Sequence, residues 1–301
     1  MAYVCGWISL MLISSWHSTQ AQPDTLRLLA PQVALAAAPE AQLLEVDEEA
    51  NLYLLDSQRS RLYKFFARYQ YDSSIAIGGQ GIAGEALNNP SQVTSAARNK
   101  LYVLDRGNRR VVLMSVNLRE IRSYRFEQPI IGVNQEKYTR PIYPRALAVS
   151  PQGELYLLNG EDQQVLKFDT FGELSLTFGG LNYGEGSLMH PSQLLFDHEN
   201  YVQPYLYVAD TSRQLIQVFD IFGVYQFDLK PQTGFRWTRA SLYRNQLVLF
   251  NQQHLARYNI ANQQLAYLRL PDPIAVQDAV AHRNGIYVLS KKQVLLYTNH
   301  D

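Results

Sequence analysis

The fold is decided by a five-residue pattern, Leu52-Tyr-Leu-Leu-Asp56, that returns along the chain. Three close copies and two degenerate ones follow it: Leu101-Tyr-Val-Leu-Asp105, Leu155-Tyr-Leu-Leu-Asn159, Leu206-Tyr-Val-Ala-Asp210, Leu247-Val-Leu-Phe-Asn251 and Ile286-Tyr-Val-Leu-Ser290. Successive copies begin 49, 54, 51, 41 and 39 residues apart. Such a spacing is typical of a chain in which each repeat is one supersecondary unit. We call these six segments the anchors.

Each anchor predicts a short strand. Apolar, β-branched and aromatic runs of four or five residues, bounded by Asp, Asn or Gly, are too short for helices. Their apolar residues are consecutive, which indicates strands covered on both faces. A second apolar run follows most anchors, a Pro-led segment precedes three of them, and glycine-ended runs occur at residues 75–79 and 176–180. Four strands per repeat and six repeats predict an all-β, six-bladed β-propeller of four-stranded blades.

The ring is expected to close through the N-terminal region. After the last anchor only one further strand, at residues 293–298, fits before the sequence stops, so the last blade lacks its outermost strand. Residues 25–29 are the candidate for that strand, and their pairing would leave no open edge in the ring. Residues 33–38 are compatible with a helix.

Two stretches carry a resemblance to a known family: Asp105-Arg-Gly-Asn-Arg-Arg110-Val-Val and the segment from Leu206 through Asp210 to Val218-Phe219. They resemble the NHL repeat, in which a Leu-Tyr-Val-Ala-Asp strand, a Gly-Asn turn and an Arg precede a strand ending in Val-Phe. The resemblance extends over residues 22–301 and is strongest in repeats 2 and 4. It implies a six-bladed propeller. NHL-like propellers include protein-binding scaffolds, RNA readers, lyases and hydrolases, so function depends on the site rather than the fold.

Composition and charge limit the function further. The 301 residues include 27 Lys+Arg and 27 Asp+Glu, and this neutrality argues against a nucleic-acid binder. The single cysteine, Cys5, excludes an intramolecular disulfide framework. Of the 20 Tyr, five occupy the second anchor position, where an aromatic ring is expected to pack between blades.

Residues 1–21 predict a secretory signal peptide. They contain no Asp, Glu, Lys or Arg, have an apolar run at residues 8–13, and place the small residues Thr19 and Ala21 at −3 and −1 of a cleavage site. The alternative is a buried N-terminal strand or a misplaced start. The predicted mature propeller, residues 22–301, is secreted, monomeric by itself and without a transmembrane anchor after cleavage.

Sequence motifs for chemistry are sparse. Gly79-Gln-Gly-Ile-Ala-Gly84 matches a dinucleotide-binding pattern but lacks the helix that such a site requires. No G-x-S-x-G element occurs. No cofactor is predicted; metal ligation by residues from separate blades at the channel stays open. The five histidines of the mature chain lack metal-binding spacing: His190, His198, His254, His282 and His300.

One group of residues predicts a binding site. Segments that lead into the innermost strands of a propeller gather at one face, and here they bring Arg and aromatic residues, the types favoured in binding sites. The candidate ligand-binding residues are Arg140, Arg145, His190, Arg236, Trp237 and Arg239. The alternative is that these arginines are paired with Glu85, Glu185 or Asp272. The sequence therefore predicts a secreted, non-enzymatic scaffold for a protein or peptide partner. The alternative is a lyase or hydrolase, metal-dependent or not, with its site in the channel.

Overall fold

The computed structural model describes residues 24–27, 33–36, 40–82, 84–96, 100–131, 137–182, 184–197, 204–270 and 274–298. Two short strands, β1 (Asp24–Arg27) and β2 (Val33–Ala36), precede the first blade. The blades then follow in chain order. Blade 1 contains β3 (Leu43–Val46), β4 (Leu52–Asp56), β5 (Arg61–Phe65) and β6 (Ser74–Gly78). Blade 2 contains β7 (Pro90–Ala96), β8 (Lys100–Asp105), β9 (Arg110–Ser115) and β10 (Glu120–Arg125).

A two-stranded hairpin separates blades 2 and 3. It consists of β11 (Glu127–Ile131) and β12 (Lys137–Pro141). Blade 3 contains β13 (Pro144–Val149), β14 (Leu155–Asn159), β15 (Gln164–Phe168) and β16 (Leu174–Gly179). Blade 4 contains β17 (Gln193–Phe196), β18 (Tyr205–Asp210), β19 (Leu215–Asp220) and β20 (Tyr225–Leu229).

The last two blades take up the rest of the chain. Blade 5 contains β21 (Arg239–Tyr243), β22 (Gln246–Phe250), β23 (Leu255–Asn259) and β24 (Leu265–Arg269). Blade 6 contains β25 (Asp278–His282), β26 (Gly285–Leu289) and β27 (Gln293–Tyr297). The helical segments among the described residues are 3-10 turns at Ala67–Tyr69 and Arg106–Asn108, and no helix in this part of the chain could cross a membrane.

The predicted architecture is confirmed. Every blade is an antiparallel meander, and every anchor lies in the second strand of its blade, apart from the final residues Asn251 and Ser290 of the two degenerate anchors. The six innermost strands contact one another in a closed ring about the axis. Each four-strand meander ends on the face where it began, so the links between blades all lie on that face. We call it the upper face and the opposite side the lower face.

Ring closure by an N-terminal strand is also confirmed, but the expected segment was wrong. β2 pairs antiparallel with β27 and supplies the outermost strand of blade 6, with Val33 opposite Leu296. β1, which falls in the stretch expected to close the ring, pairs parallel with β24 and adds a fifth strand to blade 5. Both outer edges accept an extended chain, and strand formation depends more on such an edge than on the intrinsic preference of the Ala-rich segment.

The layers between blades form the core, and the anchor tyrosines fill them as predicted. The five tyrosines at the second anchor position are at most 2% exposed: Tyr53, Tyr102, Tyr156, Tyr207 and Tyr287. Tyr156 of blade 3, for example, packs on Phe196 of blade 4 with ring centroids 5.4 Å apart. Lys167 lies opposite Tyr156 on the neighbouring strand and donates a hydrogen bond from Nζ to the carbonyl oxygen of Ile221 in blade 4.

The acidic residue that ends an anchor joins two segments of the upper face. Asp105 accepts a hydrogen bond from the backbone N–H of Asn88, in the link that leads into blade 2, and pairs with Arg110 at 2.7 Å. Asp210 likewise accepts from the N–H of Arg213 in its own turn and from the N–H of His190 in the preceding link. These carboxylates therefore fix the links that surround the channel mouth.

We expect replacement of residues 33–36 by Gly-Ser-Gly-Ser to lower the free energy of unfolding by about 2 kcal/mol or more, because glycine in a strand costs about 0.5–1 kcal/mol per residue and blade 6 also loses its outer strand. Thermal unfolding followed by circular dichroism measures the effect. The same replacement of residues 24–27 is the control and should cost less, because blade 5 keeps four strands. A larger loss from the control would contradict the assignment of β2 as the closing strand.

Candidate functional site

The central channel of the propeller encloses a cavity of about 440 Å³. All six innermost strands line it. Each of them is paired on one edge with the second strand of its own blade, and its other edge faces the axis. Because side chains alternate along a strand, every second residue of an innermost strand is directed toward the following blade, and the residues between them toward the preceding blade.

The strand registers define two levels of channel positions. The upper ring lies opposite the fourth anchor position of each blade and consists of Leu43, Gln92, Ala146, Gln193, Arg239 and Asp278. The lower ring lies opposite the second anchor position and consists of Glu45, Thr94, Ala148, Leu195, Ser241 and Val280. All twelve residues line the cavity. Four of the six in the upper ring are polar.

Two glutamines of the upper ring connect neighbouring blades. Gln92 accepts a hydrogen bond from the N–H of Leu147 at 3.0 Å and donates one to the carbonyl oxygen of the same residue at 2.6 Å. Gln193 makes the same two bonds with Ala240, at 2.9 and 3.4 Å. A side-chain amide thus satisfies both backbone groups that the free edge of the next innermost strand presents.

Two carboxylates make related bridges in blades 1 and 6. Glu45 accepts hydrogen bonds from the N–H and the hydroxyl of Ser95, at 2.9 and 2.6 Å. Asp278 accepts from the N–H groups of Leu44 and Ala279, at 2.9 and 3.0 Å. The Nε of Arg239 lies 3.4 Å from Asp278 Oδ1.

Both carboxyl groups have raised pKa values. Burial raises the pKa of Glu45 to about 7, although the Ser95 hydrogen bonds lower it. Burial also raises the pKa of Asp278, and the Arg239 guanidinium acts in the opposite direction. Glu45 therefore exchanges its proton near neutral pH inside a cavity, a combination common at functional sites.

The structure brings some of the predicted site residues together at the channel mouth. Arg145 and Arg239 line the channel at its upper end. Arg145 is exposed, and it has no hydrogen-bond or ion-pair partner among the described residues. Arg236 is also exposed and donates to the carbonyl oxygens of Thr211 and Ser212 at 3.4 and 3.0 Å. His190 is exposed on the link into blade 4.

Two other predicted residues lie elsewhere. Trp237 is 1% exposed and packs in the core between blades 4 and 5, because its backbone N–H and carbonyl oxygen are both held by Gln214. Arg140 on β12 pairs with Asp162 and lies 3.8 Å from Glu161. The expected acidic partners differ too: Glu85 pairs with Arg119 at 3.0 Å, and Asp272 lies outside the described residues.

The candidate ligand-binding residues did not include the aromatic residue that does lie at the upper face, although its segment was expected there. Tyr143 is 44% exposed, and the Arg109 guanidinium lies 5.6 Å from its ring centroid. Arg109 has a positive φ of 51° in the turn that follows the second anchor, which carries its side chain toward blade 3. The signal available in the sequence was the proximity of Tyr143 to Arg145.

The charged residues of the channel do not fit a metal ion. Among the residues that the structure describes, no three or more His, Cys, Asp or Glu side chains form a group able to hold one. The carboxylates of Glu45 and Asp278 already accept hydrogen bonds from backbone N–H groups. We therefore assign no metal-dependent step to these residues.

The chain matches no family model and no curated protein sequence. Its structure is similar to that of a streptogramin B lyase, with TM-score 0.56 and 8% identity over 88% of this chain and 97% of that one. It is also similar to a gluconolactonase from Xanthomonas campestris, with TM-score 0.60 and 11% identity over 93% and 96% of the two chains.

A third similar structure is the β-propeller domain of Cps50 (Swd1) from Myceliophteria thermophila, with TM-score 0.60 and 9% identity over 90% of this chain and 99% of that domain. At such low identities the similarity concerns the fold alone. All three structures are propellers, as this chain is. Two of them are enzymes, and the third is the Cps50 (Swd1) domain.

We expect the Glu45→Gln variant to be more stable than the unmodified protein above pH 7 and to lose that advantage near pH 4.5. The pKa of Glu45 is raised from 4.5 in the unfolded chain to about 7 in the folded state, so the free energy of unfolding of the unmodified protein falls as pH rises through this range. Glutamine does not ionise, and the stability difference between the variant and the unmodified protein therefore reaches at most about 3 kcal/mol. Melting temperatures across this pH range measure it, with exposed Glu48→Gln as the control. Parallel profiles for both variants would refute the burial of this charge.

Proposed function

We propose that this protein is a secreted, non-enzymatic NHL-like propeller that binds an acidic protein or peptide segment at the upper mouth of its channel. The observation that carries the proposal is that two exposed arginines lack a carboxylate partner among the described residues. Arg145 and Arg236 are exposed and have no carboxylate partner among the described residues, whereas Arg140 has two and Arg239 has one. The charge-free residues 1–21 and the NHL-like repeats of blades 2 and 4 support the rest of the proposal.

The local surroundings prepare these arginines for an anionic ligand. Arg236 is oriented by two carbonyl oxygens, which fix the guanidinium without neutralising its charge. A guanidinium has five N–H donors, so donors remain for a carboxylate. Near Arg145, the exposed ring of Tyr143 and the adjacent Arg109 supply apolar area and a further positive charge. Arginine and tyrosine are the side chains that most often contribute strongly to binding.

Because the net charge is zero, we expect binding through a local site and not through long-range attraction. With 27 cationic and 27 anionic side chains, the chain as a whole attracts neither sign at long range. Attraction must come from the channel mouth itself, and binding should weaken as salt screens exposed charges beyond about 10 Å at 0.1 M. This distinguishes recognition at a defined site from general adsorption of polyanions.

Fluorescence anisotropy with a dye-labelled peptide of six glutamates tests the proposal. We expect the double variant Arg145→Ala/Arg236→Ala to bind at least tenfold more weakly than the unmodified protein, because two charge-assisted contacts are lost. Arg239 is left intact, since its removal would leave buried Asp278 without its cation.

The matched control for this measurement is Arg283→Ala, which removes an exposed arginine from the lower mouth of the channel. The control should bind as the unmodified protein does. Equal affinity of the double variant and the unmodified protein, or binding of a six-lysine peptide with the same affinity, would contradict the proposal.

One observation favours the alternative of a lyase or hydrolase: a carboxyl group with a pKa of about 7, Glu45, faces the cavity and could act as a general base or acid. Turnover of lactone or ester substrates by the purified protein, lost in Glu45→Gln with folding intact, would establish this alternative. If the protein turns over none of these substrates and binds the peptide specifically, the result supports the binding scaffold and contradicts the enzyme alternative.

A further inference from the structure

Two of the side-chain bridges between innermost strands carry a negative charge that the bridge itself does not require. Gln92 and Gln193 show that an amide at a bridging position satisfies both the N–H and the carbonyl oxygen of the next strand. Glu45 and Asp278 can only accept, so they satisfy the N–H groups alone. Burial of a carboxylate is unfavourable, and a glutamine makes a bridge of this kind without that cost. The charge at these two positions therefore calls for another explanation.

Glu45 is the carboxylate whose charge is left unbalanced. Arg239, the cationic residue of the two rings, pairs with Asp278. Glu45 has no Lys, Arg or His within ion-pair distance among the described residues, and its recorded hydrogen bonds use Oε1 alone. The hydroxyls of Ser95 and Ser241 and the side chain of Thr94 line the same cavity. An anionic oxygen in a cavity that is also lined by hydroxyl groups is an environment suited to an ammonium group.

The positions of Arg239 and Arg145 relative to Glu45 indicate that such a ligand also carries a carboxylate. Arg239 of blade 5 belongs to the upper ring and Glu45 of blade 1 to the lower ring, so the two levels differ by two residues, or about 6–7 Å, along the channel axis. Arg145 lies at the mouth of the same cavity. A first residue of a peptide places its α-ammonium and its side-chain carboxylate, or the carboxylate of the next residue, over a comparable length of the channel axis.

We propose that the channel receives the free amino terminus of an acidic peptide segment, with the α-ammonium on Glu45 and the first carboxylate toward Arg239 and Arg145. This inference rests on the proposed function and names the part of the ligand that enters the channel. The cavity of about 440 Å³ lies within the range of sites that enclose small molecules, so the terminal residue fits without rearrangement of the blades.

Two peptides of six glutamates, labelled at the carboxyl end and differing only in a free or an acetylated amino terminus, test this inference. We expect the unmodified protein to bind the free peptide at least tenfold more tightly than the acetylated one. Glu45→Gln should abolish this preference without a loss of melting temperature, because glutamine can make the same bridge to Ser95. Glu48→Gln, which removes an exposed carboxylate at the lower mouth, is the matched control and should keep the preference.

Equal binding of the two peptides by the unmodified protein, or a preference that survives in Glu45→Gln, would overturn the inference. If both peptides bind equally and both are weakened by Arg145→Ala/Arg236→Ala, the inference fails and the proposed function stands. If neither peptide binds, both are contradicted.

Discussion

The structure depends on how the free edges of the six innermost strands are satisfied. These strands belong to different sheets, so no backbone ladder joins one to the next, and an unpaired edge leaves N–H and carbonyl groups without partners. Side chains from the preceding blade cross that gap at five of the six junctions. The donors that they satisfy are the backbone N–H groups of Leu44, Ser95, Leu147, Ala240 and Ala281. At the sixth junction, between blades 3 and 4, Ala146 and Ala148 pack with Leu194.

These bridges also determine the chemistry of the channel. A bridge needs a polar side chain on an innermost strand that reaches the next innermost strand, and the residues that make these bridges also line the cavity. Where the bridge is glutamine, the channel wall is neutral; where it is Glu45 or Asp278, the wall is acidic. The arginines of the upper mouth lie next to this acidic wall. The channel is therefore polarised, positive at the mouth and negative within, although the chain as a whole has no net charge.

Local patterns were sufficient to predict the blades. Consecutive apolar residues with a terminal Asp or Asn specify a strand and its turn without reference to the rest of the chain, which explains why the anchors and the buried tyrosines were predicted correctly. The exact segment that closes the ring could not be predicted from the sequence, because the outer edges of blades 5 and 6 both accept an extended N-terminal segment. Trp237 was placed at the surface because no local pattern shows that Gln214 holds its backbone. Glu45 was missed because its direction depends on which strand is innermost.

Hydrogen exchange at the five bridged amides tests the account most directly. If side chains from neighbouring blades satisfy these donors, the amides of Leu44, Ser95, Leu147, Ala240 and Ala281 should exchange as slowly as those of the second strands, which open only on global unfolding. Exchange at the rate of an exposed strand edge would show that the innermost strands are not held in this way, and the arrangement of charges in the channel would lose its structural basis.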